Sequence, residues 1–157
     1  MENISKNVTY AEAVKSQTAE RLGLQNIPDA AKLKNMQRIA AAIFVPVRRD
    51  VAGNKPLSVT SFFRSEDTNA AAGGTPLSQH CKGEAMDIDA DVFGNGTNAQ
   101  IFDYIQNNLE FDQLIWEFGD TRNPAWVHVS LKAKNNRKQT LRSLKRKGRT
   151  IYEPFKR

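Results

Sequence analysis

The spacing of apolar positions changes along the chain, and the change divides it into a helical first part and a stranded second part. Thr9-Tyr10-Ala11-Glu12 has the capping-box pattern, so a helix opens there and runs to about Leu22, where Gly23 stops it. Asp29, after Pro28, starts a second helix in which Leu33, Met36, Ile39, Ala40, Ile43, Phe44 and Val47 recur at steps of three or four. That stripe faces a core, and Pro46 should end or bend the helix near its last turn. After a turn at Gly53-Asn54-Lys55-Pro56 the period falls to two. Leu57, Val59, Ser61 and Phe63 then share one face of a strand, and Ser58, Thr60, Phe62 and Arg64 the other. Residues 65–77 are polar and contain glycine, which reads as a loop. From Ala85 to Asp91 Met86, Ile88 and Ala90 point one way and Asp87, Asp89 and Asp91 the other. Gly94-Asn95-Gly96 turns the chain into a third helix, Asn98 to Asn108, with Ile101, Phe102, Ile105 and Leu109 at helical spacing. Two strands follow: Gln113 to Phe118, with Leu114, Trp116 and Phe118 inward, and Trp126 to Leu131, with Val127, Val129 and Leu131 inward. Helices first and strands afterwards, joined by short hairpins, predict the α+β class, a small antiparallel sheet packed against N-terminal helices.

Composition narrows this picture. A chain of 157 residues is the size of one domain with a real core and is expected to be a monomer. The longest apolar stretch, Ile39 to Val47, is too short to span a bilayer, and Met1-Glu2-Asn3-Ile4-Ser5-Lys6 lacks the apolar region of a signal peptide. Synthesis in the cytoplasm without an export signal is the expectation. The single cysteine, Cys81, excludes an internal disulfide. The net charge of +6 is uneven: residues 132–157 hold 11 of the 23 Lys and Arg against one acid, Glu153. The chain is therefore read as a domain over 1–135 and a basic tail over 136–157. In that tail Leu141 and Leu144 seat one helical turn while the basic residues stay in water, or Ile151, Tyr152 and Phe155 pack back on the core. Such a charge attracts polyanions generally, among them anionic cell-wall polymer. The chain lacks the aromatic platforms or zinc-finger spacing that would favour nucleic acid.

The chemistry concentrates in Ser78-Gln79-His80-Cys81-Lys82-Gly83-Glu84-Ala85-Met86-Asp87. Zinc takes imidazole nitrogen and carboxylate oxygen at roughly 2 Å, so His80 and Asp87 must converge on one point to share an ion. Seven residues of helix would separate them by about 10.5 Å, whereas a reversal at Gly83 brings the loop bearing His80 back beside a strand bearing Asp87.

Ser78, His80, Gly83, Ala85 and Asp87 form S-x-H-x-x-G-x-A-x-D, which resembles the signature of the zinc D-Ala-D-Ala peptidases. That family includes phage L-alanyl-D-glutamate endopeptidases, and its fold recurs in the hedgehog signalling domain. The resemblance runs from about Ser16 to Ser130, and the segment from Ser16 to Gly23 is similar to the opening helix of phage-type members. It implies a third zinc ligand on a downstream strand, where Trp126-Val127-His128-Val129-Ser130 supplies the other of the two histidines in the chain. One zinc per chain, held by His80, Asp87 and His128, leaves a fourth position for water. Cys81 is not a ligand position of the pattern. The implied activity is hydrolysis in the peptidoglycan stem peptide, as a carboxypeptidase or an endopeptidase. With no export signal, that suits a phage or prophage lysis enzyme acting on the wall after release, or one carried in a virion.

The sequence departs from the family at the base. Many relatives carry E-x-x-H, but position 125 is Ala, and in those with H-x-H the equivalent place is Trp126 here. A regular hairpin centred on the Arg122-Asn123 bond would put Glu117 directly opposite His128, which nominates Glu117 as base, with Asp120 the second choice. Arg64, in Ser61-Phe62-Phe63-Arg64, resembles the family's arginine that stabilises an oxyanion or binds a substrate carboxylate. Ser78, Gln79 and Trp126 complete the expected substrate contacts. The missing E-x-x-H glutamate also supports a different reading, a zinc-containing wall-binding or structural module impaired in catalysis.

Overall fold

The computed structural model describes residues 3–156. Met1 and Glu2 of the N-terminal reading and Arg157 of the basic tail lie outside them. The capping box at Thr9 forms with both of its bonds, but it opens only a short helix, α1 (Tyr10–Val14). Lys15 is extended, and the Ser16 hydroxyl accepts the Ala19 N–H to start α2 (Gln17–Leu22). One expected helix is thus two, because Ser16 offers the backbone a cap where continuation was possible. Gly23 closes α2 in the left-handed region, with φ of 65°.

Asp29 caps α3 (Ala30–Ile39), as its position suggested. Pro46 does not end the helix. A π-helical turn over Ala40–Phe44 precedes it, and α4 (Val45–Asp50) carries on beyond it. The widened turn accommodates the proline ring and its missing donor without breaking the axis. Met36, Ile39, Ala40, Ile43, Phe44 and Val47 are all fully buried, so the stripe read from the sequence is the helical side of the core.

Strand β1 (Ser58–Ser61) is shorter than expected and has a register irregularity between Val59 and Ser61. Past it Phe62 and Phe63 are both buried, although strict alternation puts them on opposite faces. The following segment is not all loop, since Ser65 caps α5 (Glu66–Ala71). The remaining strands are β2 (Ala85–Asp89), β3 (Gln113–Glu117), β4 (Trp126–Ser130), β5 (Gln139–Arg146) and β6 (Arg149–Pro154), with α6 (Asn98–Asn108) between β2 and β3. The sheet order is β1-β2-β4-β3-β5-β6, antiparallel except where β5 lies parallel to β3. The class is α+β, as expected, and α6 packs on β3 and β4.

The two faces of the sheet do different work. Met86, Ile88, Leu114, Trp116, Val127 and Val129 are buried in one cluster with Ile39, Ile43, Phe44, Phe102 and Ile105. Each such side chain contributes about 1.5–3 kcal/mol on burial. Asp87, Ile115, Glu117, Trp126 and His128 line a cleft on the opposite face.

The basic segment is not a helical turn. Leu141 and Leu144 lie on β5, and their odd separation puts them on opposite faces of a strand. The 135/136 boundary falls in the connection between β4 and β5 of one sheet. Phe155 reaches the core cluster, with its ring 4.5 Å from Phe102 and 5.3 Å from Trp116 between centroids. Asp112, 1% exposed, anchors the connection: it accepts Arg137 Nη2–H at 2.8 Å and the Arg137 backbone N–H at 2.9 Å. Among the described residues no helix is long and apolar enough to cross a membrane.

Candidate metal centre and its cleft

His80 is placed by a 3-10 turn, Gln79–Lys82, whose cap Ser78 accepts the His80 backbone N–H at 3.3 Å. Gly83 then reverses the chain with φ of 73°, and a Cβ there would lie 2.5 Å from the Lys32 carbonyl oxygen. Only glycine fits both the dihedral and the gap. The turn aims His80 at β2. Its Nδ1 lies 2.7 Å from the Phe62 carbonyl oxygen, and a carbonyl only accepts, so Nδ1 holds the proton. The lone pair is left on Nε2, which is buried, has no hydrogen-bond partner and sits 3.5 Å from Asp87 Oδ1.

Asp87 and His128 face each other across β2 and β4 in direct register. His128 Nδ1 lies 2.9 Å from Asp87 Oδ1, and one ligand atom from each of His80, Asp87 and His128 falls within 4.8 Å of the others. Ligand atoms on a tetrahedral ion with bonds near 2 Å are about 3.3 Å apart, so small movements bring the three into coordination. An orphaned buried nitrogen aimed at a carboxylate and a second imidazole is a donor set that suits zinc. The Phe62 carbonyl is the outer partner that fixes the tautomer and ring orientation of a ligating histidine.

The electrostatics agree with the geometry. Burial pushes the His80 imidazole below its ordinary range, so it stays neutral, as a ligand must. Burial also works against the Asp87 charge, but the two imidazoles beside it, with His128 at hydrogen-bond distance, hold its carboxyl well below the usual carboxylate range. Arg64 stands beside this group. Its Nη2 is 4.0 Å from Asp87 Oδ2, Nε donates to Ser61 Oγ at 3.3 Å and Nη1 donates to Asn69 Oδ1 at 3.3 Å.

Glu117 is on the predicted face but not in the predicted register. It pairs with Trp126, and Ile115 is opposite His128, so the hairpin is centred one residue earlier than the Arg122-Asn123 bond. The cause lies in the loop. Phe118 and Gly119 both take left-handed backbone, with φ of 52° and 67°, and end β3 at Glu117. Glu117 is therefore a diagonal neighbour of His128, roughly 7–8 Å away across such a pair rather than in direct opposition. It is buried, and burial raises its carboxyl above the ordinary range against a hydrogen bond from Ser143 and the nearby His128.

Phe118, expected inward, instead turns toward Trp126, with ring centroids 5.4 Å apart, and lines the cleft. Asp120 does not line the cleft. It is exposed, and its Oδ1 accepts the backbone N–H groups of Arg122 and Asn123 at 2.8 and 3.0 Å, so it shapes the turn. Cys81 is buried and outside the cluster. The cleft has a volume of about 940 Å³ and includes Ser78, Gln79 and Trp126 among its walls.

A family model described as Peptidase M15 matches residues 6–130. The chain belongs to the peptidase M15 family. Membership implies a metallopeptidase, and the zinc dependence of M15 peptidases accords with the His80, Asp87 and His128 cluster. No curated protein matches the chain. The family match stops at the end of β4, so it contains every side chain nominated from the sequence, whereas β5 and β6 follow it. Those two strands also line the cleft, through Gln139, Leu141, Thr150 and Tyr152. Sequence reasoning missed them because β5 joins the sheet through β3, distant in the chain, with β6 paired to β5, and because their charge resembles that of a solvated end. Asn98 was missed as well. Fully buried at the start of α6, it donates to Asp89 Oδ1 at 3.0 Å and to the Ala125 carbonyl at 3.1 Å, tying β2 to the entry of β4.

Proposed function

We propose that the protein is a zinc-dependent peptidase that hydrolyses a peptide bond of the peptidoglycan stem peptide. The convergence of His80 Nε2, Asp87 and His128 in one cleft, in a chain of the M15 family, carries this reading. A zinc ion held by these three residues would supply a water acidic enough to attack an amide near neutral pH. Glu117 would accept a proton from the attacking water and deliver it to the leaving nitrogen as the new C–O bond forms and the C–N bond breaks. Its raised affinity for a proton suits a group that must both take and give one. The Arg64 guanidinium, held by Ser61 and Asn69, receives the developing oxyanion or a carboxylate of the peptide. Ser78, Gln79 and Trp126 contact the peptide along the walls. The resemblance to phage-type members supports a lysis role. The exposed Lys145, Arg146, Lys147 and Arg149 at the β5–β6 turn favour contact with anionic wall polymer, an attraction that salt screens.

Digestion of purified sacculi with zinc-loaded protein, followed by mass spectrometry, tests the proposal. New amino and carboxyl termini within the stem peptide are expected, and their position identifies the bond. Intact stem peptides after exposure to zinc-replete, folded protein would refute the activity.

A further inference from the structure

Ser143 lies on β5, outside the region that matches the family, yet it touches the residue read above as the base. Its Oγ donates to Glu117 Oε2 at 2.6 Å, and Ser143 is fully buried. Three features make this contact more than proximity. First, β5 runs parallel to β3 with Glu117 and Ser143 as direct partners, so both side chains emerge side by side on the cleft face. Second, the Phe118 backbone N–H, shared with the Ser143 carbonyl at 3.1 Å, also donates to Ser143 Oγ at 3.2 Å. That occupies an acceptor site on the hydroxyl and leaves its hydrogen for the carboxylate. Third, among the described residues Ser143 donates a hydrogen bond to the Glu117 carboxylate, while Tyr152, the direct partner of Ser143 on β6, lines the same cleft as Glu117.

We infer that Ser143 is a positioning residue for Glu117, and that the β5–β6 hairpin is a working part of the site. The inference rests on the reading of Glu117 as base. A buried carboxylate with free χ angles samples rotamers that face away from the reacting water, and a single short hydrogen bond from a rigid strand removes that freedom. The same bond favours the ionised form, which is the form that accepts a proton. The hairpin thus contributes an orienting group that the matched region does not contain. Because Ser143 acts through Glu117 and not on the peptide, its loss should lower kcat and leave KM little changed.

The test uses the full chain with three substitutions. Ser143→Ala should keep zinc content and a cooperative fold, with the melting temperature lowered by several degrees, while kcat falls about 10- to 100-fold, the range for losing a hydrogen bond to a charged group. Ser143→Thr, which keeps the hydroxyl on a strand-favouring residue, should recover most of that loss. Carbon-13 NMR titration of the Glu117 carboxyl in zinc-free protein provides a readout independent of turnover, and its midpoint should rise in Ser143→Ala. An unchanged midpoint, or full kcat in Ser143→Ala beside an inactive Glu117→Gln, overturns the role of Ser143 while leaving the base reading in place. Full turnover of Glu117→Gln overturns the base reading and the Ser143 role with it. An equal loss in Ser143→Thr and Ser143→Ala would mark a packing position and also count against the inference.

Discussion

His80, Asp87 and His128 could be picked out of the sequence because metal chemistry restricts residue type so strongly that a chain with two histidines offers few solutions. Their convergence follows from strand register and one left-handed glycine, both local features. Glu117 was half legible. The two-residue period placed it on the face of His128, but register depends on the backbone of the turn, and residues 118 and 119 do not announce left-handed conformation as a pair. Two expectations follow at this scale. Removing any one ligand, as in His80→Ala, Asp87→Ala or His128→Ala, should abolish stoichiometric zinc by metal analysis of purified protein. Glu117→Gln should retain zinc and fold but lose about 10²–10⁴ in kcat, since the amide keeps the shape and cannot take the proton. In the parent, the acid limb of kcat/KM should lie above the ordinary glutamate range, because burial raises the proton affinity of Glu117.

At the level of elements, amphipathic spacing located α3, α6 and β2 to β4, since each buries one face and polar residues mark the other. Boundaries failed where a side chain competes with the backbone. Ser16 divided a helix, and the π turn before Pro46 preserved one. The turn that carries His80 opens on the Ser78 cap and closes on the left-handed Gly83, which makes Gly83 the sharpest position to test. Gly83→Ala would force a residue with φ of 73° and place Cβ 2.5 Å from the Lys32 oxygen. A loss of about 1–3 kcal/mol is expected from the strained backbone, with zinc affinity reduced as His80 shifts. Denaturant unfolding with and without zinc measures both effects, and a variant of parental stability would contradict this account. The β4–β5 connection has its own anchor in Asp112. Burial opposes its charge, but Arg137 hydrogen bonds pull its carboxyl down to about 2. In the unfolded chain an aspartate titrates near 3.9, so the stabilisation is complete above about pH 4 and fades as pH falls through the folded value. Asp112→Asn should remove that part of the acid dependence and lower the melting temperature at neutral pH.

For the whole molecule, the sequence supported one domain but concealed how the last strands join it. Pairing of β5 with β3 is parallel and spans more than twenty residues, and no local pattern encodes it. The edge strand β6 begins with Arg149 and ends with Pro154, a charge and a proline that discourage pairing with other chains. Deleting the chain from Asn136 is therefore a test of architecture. The truncation removes Phe155 from the Trp116 and Phe102 rings, leaves β3 as an edge and takes Arg137 from buried Asp112 and Ser143 from buried Glu117. Asp112 keeps Lys132 at 3.5 Å but loses the Arg137 bonds, and Glu117 loses that of Ser143; a hydrogen bond to a charged group contributes about 1.5–3 kcal/mol, so the two losses remove about 3 kcal/mol before any apolar contact is counted. With the aromatic packing included, the melting temperature should fall by about 10 °C or more, since each kcal/mol shifts a domain of this size by about 2–4 °C. Hydrolysis of a small soluble peptide should fall as well, because the base loses its hydrogen bond. Calorimetry and a peptide assay on the same preparation separate the outcomes. A truncated protein that melts with the parent and turns over normally would make β5 and β6 a dispensable appendage.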